Sequence, residues 1–565
     1  MAAESLNNSP PQIKQSALGG HGHDNRGLEA GAIPGMGYGR FGRMFPFSGR
    51  ALTDDALLAI ADLMIKVDVS KPIDLPEEID ENPSVPSGYT YFGQFIDHDL
   101  TFDPSPLSVD RLDVAALEDF RTPALDLDCV YGRGPDDQPY MYHADGLRLR
   151  EGQPLTAGRA KGLPDVPRIP AATGDDKKIQ RAVIGDKRND ENRIVAQFQS
   201  AMIRLHNKIV MDDALIAQFG GDIHDKTSRF RWAVNILRWH YQWVVVHDYL
   251  DRRVLKPGTI AAMLSGGSPT LRFYDKPTAD FAYIPVEFAG AAFRFGHSMI
   301  RPGYSLNSDI LQGAPTPGAS KQDGRVAIFS TGTDPTQNLN GFGMPMPPDW
   351  GIDWSFFFEM DTGHLPPKNN FRIPQPSYRM DALIVSPLQT LPEFSAEIEV
   401  KMKNLAYRNL RRGTNVLSLP SGEQIAHFIG VPALTPAQLW QSIGTGGPLT
   451  DLSEDDEKFN TALLNKRENV WTRFGTQING NTPLWYYILR EAELLGVEHT
   501  PDDPMKEFGG QHLGPVGSTV LAETFLGLLK HDKNSYFNRW PQFEPVFPKR
   551  GAKFTVGDLL AFAVA

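Results

Sequence analysis

Apolar positions along this chain recur mainly at helical spacing. Leu57, Ile60, Ala61 and Met64 share one face of a predicted helix over 53–67, with Thr53 and Asp54 placed to cap it. Ile194, Val195, Phe198, Met202, Leu205 and Ile209 predict a long amphipathic helix that opens near Glu191. Phe230, Leu237, Tyr241, Val244 and Val245 predict another, roughly Ser228 to Leu250, and helical patterns return at 394–411 and 519–530. A Pro-rich segment, Lys71 to Pro86, and a stretch rich in Gly, Pro and charge, Gly132 to Lys178, interrupt the periodicity and read as irregular surface. The pattern predicts a mainly α chain with little strand.

The run Tyr89 to Asp103 is mostly apolar yet carries polar groups at restrictive spacing. Read as a helix, it stacks Gln94 and His98 on one face, one turn apart. Asp97 and Asp99 flank the histidine and point elsewhere, an expensive arrangement for packing alone. Taken by itself, a satisfied core histidine with solvated aspartates explains the run equally well.

Three further stretches bear on that choice. In Thr122-Pro-Ala-Leu-Asp-Leu-Asp128, oxygen-bearing side chains at 122, 126 and 128 face one side of an extended chain, together with the Ala124 carbonyl. With Asp99 they make a hard oxygen cage of the kind calcium takes; two hydrated aspartates in a surface turn are the simpler reading of the loop alone. Gly185-Asp-Lys-Arg188-Asn-Asp-Glu191 leads into the helix over 194–209, which steers Arg188 inward and sets Glu191 at its first turn, where the helix dipole favours a carboxylate. In Glu287 to His297, small residues let something flat and bulky approach a helix closely, and His297 is a candidate axial ligand to haem iron. His206, His240 and His247 read as packing or surface residues.

Composition narrows the classes of function. The chain has 565 residues, 41% hydrophobic and 22% charged, enough for a large core. A net charge of −12 argues against a nucleic-acid partner, since phosphates call for a basic face. Cys129 is the only cysteine, so no intrachain disulfide framework exists. Residues 1–44 read as a flexible polar leader, in which His21-Gly-His23-Asp24 is solvated linker rather than a metal site; 45–565 read as one domain. No apolar secretion signal or membrane-spanning stretch is visible, which makes a cytoplasmic protein the default and leaves signal-less export open.

Together the blocks resemble the animal-type haem peroxidases, the peroxidase–cyclooxygenase superfamily that includes myeloperoxidase and lactoperoxidase. The resemblance is carried by Gly93-Gln94-Phe-Ile-Asp97-His98-Asp99-Leu-Thr-Phe, by Thr122-x-Ala-x-Asp-x-Asp-x-Val-Tyr-Gly, by Gly185-Asp-x-Arg188-x-x-Glu191 and by Ala292-Phe-Arg294-Phe-Gly-His297. Leu405-Ala-Tyr-Arg-Asn-Leu-Arg-Arg-Gly413 with Leu419-Pro-Ser-Gly-Glu423, and Leu513-Gly-Pro-Val-Gly517, extend it. These blocks keep the family's order across most of residues 45 to 545.

The resemblance implies a single helical domain with haem b between the helices bearing His98 and His297. It makes His98 the distal base, with Arg188 supplying fixed positive charge and Gln94 holding the distal water beside an anion pocket. His297 becomes the iron ligand, next to Arg294 and with Glu423 at the position matching its ring-proton partner, an amide in the family. Asp97 and Glu191 match the carboxylates that ester-link haem, and Asn192 replaces the methionine of a third, sulfonium link. Asp99, Thr122, Ala124, Asp126 and Asp128 become a Ca²⁺ site. The implied activity is reduction of hydrogen peroxide through a ferryl intermediate, with oxidation of small aromatic donors or of anions such as halide or thiocyanate. Fatty-acid dioxygenases of the superfamily carry a tyrosine where this chain has Arg294. That reading, a haem-binding module without turnover and a non-haem metal enzyme are the alternatives; the absence of disulfides suggests the simpler microbial relatives. Reducing substrate and oligomeric state are not legible in the sequence.

Overall fold

The computed structural model describes residues 39–66, 81–102, 117–156, 163–174, 178–274, 282–311, 325–329, 338–341, 343–361, 373–392, 399–443, 454–497 and 509–565. About half of the chain is helical and about 7% is strand. The leader's His21 and His23 lie outside the described residues.

Helix α1, Asp54–Met64, starts where expected: Thr53 Oγ1 accepts the Ala56 N–H, and Asp54 and Asp55 sit in the first turn where the dipole favours them. Helix α2, Gly88–Leu100, carries the polar run. It begins at Gly88, where a Cβ would lie 2.5 Å from the Phe357 carbonyl oxygen. A short helix, α3, covers Asp128–Tyr131. Helix α4, Arg193–Val210, is capped by Asn192, whose Oδ1 accepts the Ile194 N–H at 2.8 Å. The helix at Lys226–Val244 continues as a π-helical segment, Val245–Val254, that places Tyr249 at a cavity wall, and so runs past the expected end. The periodic segments further on become Leu405–Arg411 and Pro515–His531.

Packing follows from these faces. Helices α2 and α4 meet through Phe92 and Phe95 against Phe198, with ring centroids 5.4 and 5.0 Å apart. All three rings are fully buried, so Phe95→Ala would cost about 3–5 kcal/mol. Helix α4 also packs on the C-terminal helix Val556–Val564, and the buried apolar residues form one cluster from Phe41 to Ala563. No described helix is long and apolar enough to cross a membrane.

Two expectations change. The leader was expected to reach residue 44, yet Gly39–Gly42 is a strand, parallel to Ile284–Pro285 and antiparallel to Glu118–Asp119. Met44 and Phe45 then bury completely, their N–H groups donating to the Glu287 carboxylate at 3.1 and 3.4 Å. That carboxylate belongs to a distant segment, so composition could not reveal the pairing. Glu287 to His297 is not one helix: Val286–Gly290 ends at Ala291 (φ −145°, ψ −64°) and a 3-10 segment, Ala292–His297, follows. At Gly290, just before the break, Leu417 packs so closely that a Cβ would lie 2.7 Å from it.

His206 and His240 are structural. His206 bonds the Tyr131 hydroxyl and the Leu147 carbonyl, and His240 stacks on Phe547 with its Nδ1 on the Ile236 carbonyl. Burial pushes their pKa values down to about 4 and about 3. Between about 6.5 and those values the unfolded chain binds protons that the folded chain does not, so stability is full above the window and falls as pH drops through it. Thermal melting is expected to hold above pH ~6.5 and decline toward pH ~4, with a shallower slope in His240→Gln.

Candidate functional site

A cavity of about 270 Å³ opens between α2 and the Ala292–His297 segment. Its wall includes Gln94, Asp97, His98, Glu191, Arg294 and His297, so side chains from three separated stretches meet in one volume. A smaller pocket of about 160 Å³ shares Asp97 and Arg294 and adds Arg188 and Arg412.

His98 is buried, and its Nδ1 lies 2.7 Å from Asn189 Oδ1, leaving Nε2 as the ring nitrogen available to the cavity. Burial first, and the Arg188 guanidinium second, hold its pKa down to about 4. The imidazole is therefore neutral at ordinary pH, as a proton acceptor must be.

Arg188 is placed differently from the expectation that it faces the reacting oxygens. Its guanidinium lies over the Phe102 ring at 4.7 Å, donates to Asp186 Oδ2 at 2.7 Å and to the His98 carbonyl at 3.1 Å, and borders the smaller pocket. Asp186, two residues earlier and buried, makes the difference: it also accepts from the Arg188 N–H and from Arg121. The two arginines hold its carboxyl well below the usual range despite burial.

On the opposite side, the expected pairing of Glu423 with His297 is not found. The Glu423 carboxylate accepts from the Thr482 hydroxyl and from the Thr482 N–H, the latter at 3.1 Å. Asn409 Nδ2 lies 3.0 Å from His297 Nδ1 instead, and Arg294 Nη1 donates to Asn409 Oδ1 at 2.8 Å. A guanidinium can only donate, so the amide oxygen must face Arg294 and the amide N–H must point at His297. The His297 ring proton then sits on Nε2, the nitrogen that would have to give it up to ligate a metal. Glu423 was chosen from linear spacing, whereas Asn409 is brought to His297 by the helix Leu405–Arg411.

The cavity suits a flat group with an iron at its centre and carboxylates at its edge. Gly296, beside the candidate ligand, has nothing within 4 Å of where a Cβ would be, so it presents open space. Arg294 and Arg412 are cations whose pKa values burial lowers and Asp97 opposes; an anionic group between them would offset that desolvation. Asp97 accepts from the Thr101 hydroxyl at 3.0 Å, and Asn192 serves as the α4 cap.

Asp99, Asp126 and Asp128 form an acidic cluster whose oxygens lie within 4.8 Å of one another. Leu127 between the last two has φ +61°, a left-handed conformation that costs a leucine roughly 1–2 kcal/mol. Its N–H donates to Asp99 Oδ2 at 3.3 Å, and the Thr122 hydroxyl donates to Asp126 at 2.7 Å. Asp99 Oδ1 is buried without a hydrogen-bond partner. Burial and then Asp126 push the Asp99 pKa up to about 7, and burial raises Asp128 as well, a tension that a cation would relieve.

Sequence reasoning missed Asn189, Asp186 and Asn409. All three lie inside blocks it had singled out, and their signal is a short polar residue embedded in buried surroundings.

Residues 117–321 match the model of the animal haem peroxidase family. The span includes Thr122 to Asp128, Arg188, Glu191, Arg294 and His297, and begins after α2, so Gln94, Asp97, His98 and Asp99 lie outside it. Among solved structures the chain is similar to peroxidase A from Dictyostelium discoideum, with 13% identity, a TM-score of 0.54, and coverage of 94% of this chain and 93% of that one, a likeness of fold. A fatty acid alpha-dioxygenase from Arabidopsis thaliana aligns with 14% identity and a TM-score of 0.48, over 91% of this chain and 74% of that one. No curated protein matches the sequence.

The geometry separates Glu423 from Asn409 by experiment. In haem-loaded protein, Glu423→Gln is expected to leave the visible spectrum unchanged and to cost about 0.5–1.5 kcal/mol of stability, whereas Asn409→Leu shifts the ferric spectrum.

Proposed function

From the match of residues 117–321 to the animal haem peroxidase model, we propose that this chain reduces hydrogen peroxide while oxidising small aromatic donors or an anion such as halide or thiocyanate. The family makes it a haem-dependent peroxidase by class; the donors, the residue roles and the cation are our reading. The observation that carries the reading is that His98 and His297 border one cavity, each with Nδ1 occupied by an asparagine and Nε2 left for the cavity.

Bound haem supplies the iron at which peroxide is reduced. Toward it, His297 would serve as ligand, Arg294 and Arg412 would meet its carboxylates, and Asp97 and Glu191, which line the same cavity, would be the carboxyl groups available for ester links. Asn192, engaged as a cap, offers no sulfur for a further link.

His98 Nε2 takes the proton from the peroxide oxygen that binds and returns it to the oxygen that leaves, one imidazole serving as base and then acid. Gln94, one helical turn away on the same wall, orients the water or anion beside it. Arg188 acts through His98: its charge opposes protonation of the ring, keeping the base ready. Asp99, Asp126 and Asp128, with the Thr122 hydroxyl and the Ala124 carbonyl, would hold Ca²⁺, for which several oxygen ligands are required. Because Asp99 follows His98 directly, the ion would hold the end of α2 and with it the base. Against the dioxygenase alternative stands Arg294, whose guanidinium is committed to Asn409 and to the Ala289 carbonyl, where a hydrogen-abstracting tyrosine would be needed.

Haem-reconstituted protein mixed with peroxide is expected to show a rapid change in the haem spectrum. His98→Ala should keep haem and lose roughly 10²–10⁴ in that rate; an unchanged rate would remove His98 from the role. In the unsubstituted protein the rate should hold at neutral pH and drop as pH falls through about 4, where His98 becomes protonated. Haem bound with no reaction points to the binding module, and no haem bound ends the reading.

Calcium added to chelator-treated protein should raise the melting temperature, by about 2.7 kcal/mol in stability at a hundredfold excess over Kd, and Asp126→Asn should abolish the gain.

A further inference from the structure

The hydrogen bonds behind His98 run further into the protein than the base itself requires, and their direction is not free. Asn189 Nδ2 donates to Gln199 Oε1 at 2.8 Å, and Gln199 Nε2 donates to the Cys129 carbonyl at 3.3 Å. Asn189 and Gln199 are both fully buried, on separate elements: the 3-10 turn Lys187–Asp190 and α4.

A backbone carbonyl can only accept. The end of the chain at Cys129 therefore decides every link before it. Gln199 must turn its NH₂ to the carbonyl and its oxygen to Asn189, so Asn189 must turn its NH₂ to Gln199 and its oxygen to His98. The His98 Nδ1 then has to carry the ring proton, and Nε2 is left bare. Reversing any amide would set oxygen against oxygen or NH₂ against NH₂ in a dry interior, at the cost of buried unsatisfied groups.

We propose that Asn189 and Gln199 are positioning residues that lock His98 in the tautomer with a bare Nε2, with the Cys129 carbonyl as the anchor of their polarity. The proposal deepens the peroxidase reading and rests on His98 as the base. The anchor is itself held. Cys129 directly follows Asp128 in α3, and Gly185 packs so closely beneath it that a Cβ there would lie 2.5 Å from the Cys129 carbonyl oxygen. The Gly185-Asp-x-Arg188 block and the acidic loop thus both bear on the proton of one imidazole.

Substitutions at Gln199 separate polarity from packing. Gln199→Met keeps the volume and removes the directing groups, so the Asn189 amide is free to flip. Gln199→Glu, kept protonated by burial, donates its O–H to the Cys129 carbonyl and presents its other oxygen to Asn189, so it still fixes Asn189 in the native sense. With haem-loaded protein and hydrogen peroxide, Gln199→Met is expected to slow the spectral change at least roughly tenfold, and Gln199→Glu to remain within about threefold of the unsubstituted protein. Imidazole ¹⁵N resonances of histidine-labelled protein give a second readout. They should show Nδ1 protonated and Nε2 bare at His98 in the unsubstituted and Gln199→Glu proteins, and a mixture of tautomers in Gln199→Met. Should Gln199→Glu fail to fold, Asn189→Asp, which has no donor face to flip, is expected to keep the bare Nε2. A His98 tautomer unaffected by Gln199→Met, or a loss equally deep in both Gln199 variants, would overturn the proposal. If His98→Ala reacts as fast as the unsubstituted protein, it is the functional reading that fails, while the resonances still test the tautomer.

Discussion

Two imidazoles held in a dry interior set the terms for the rest of this structure. Away from water a ring nitrogen is well placed only if its hydrogen-bond partner has a fixed direction, and each of the two is given an asparagine whose own direction is imposed from behind. The impositions are opposite in sense. Behind His98 stands an acceptor, the Cys129 carbonyl reached through Gln199, and it leaves a lone pair toward the cavity. Behind His297 stands a donor, Arg294, and it directs an N–H at the ring. Burial lowers both imidazole pKa values, to about 4 and about 3, so both rings are neutral at ordinary pH.

The same burial gives the charged groups around the cavity their tight pairing. Asp186 ties Arg121, which also reaches Asp128 at 3.3 Å, to Arg188, which reaches the His98 carbonyl. One carboxylate therefore links the acidic loop to the end of α2. The acidic loop is strained at Leu127 and crowded with carboxylates that burial makes reluctant to ionise, a state consistent with a site built around a cation. Stability and chemistry are thus drawn from one network, so a change in that loop should be felt at His98 through two routes: the chain itself and the Cys129 carbonyl.

What was legible in the sequence followed from short-range rules. The 3.6-residue spacing located α1 and α4, because amphipathic helices declare their buried face locally; Thr53 caps by reaching only three residues along the chain. Gln94 and His98 share a wall because one helical turn places them so. Asp99, Asp126 and Asp128, grouped from residue type and alternation, have oxygens within 4.8 Å of one another. The break at Ala291 was not legible, and neither was the strand at Gly39–Gly42, which answers to a distant segment, Ile284–Pro285.

By itself the sequence determined the helical class, the elements that carry the chemistry and the kinds of group brought to it, because these depend on local spacing and side-chain type. Only the tertiary structure decided which partner each group takes. Glu423 lies near the right place in the linear order, but Asn409 reaches His297, and Arg188 turns to Asp186 rather than into the main cavity. The reason is physical: hydrogen-bond direction and charge pairing in a buried site depend on distances of a few ångströms between segments far apart in the chain, and no periodicity encodes those distances.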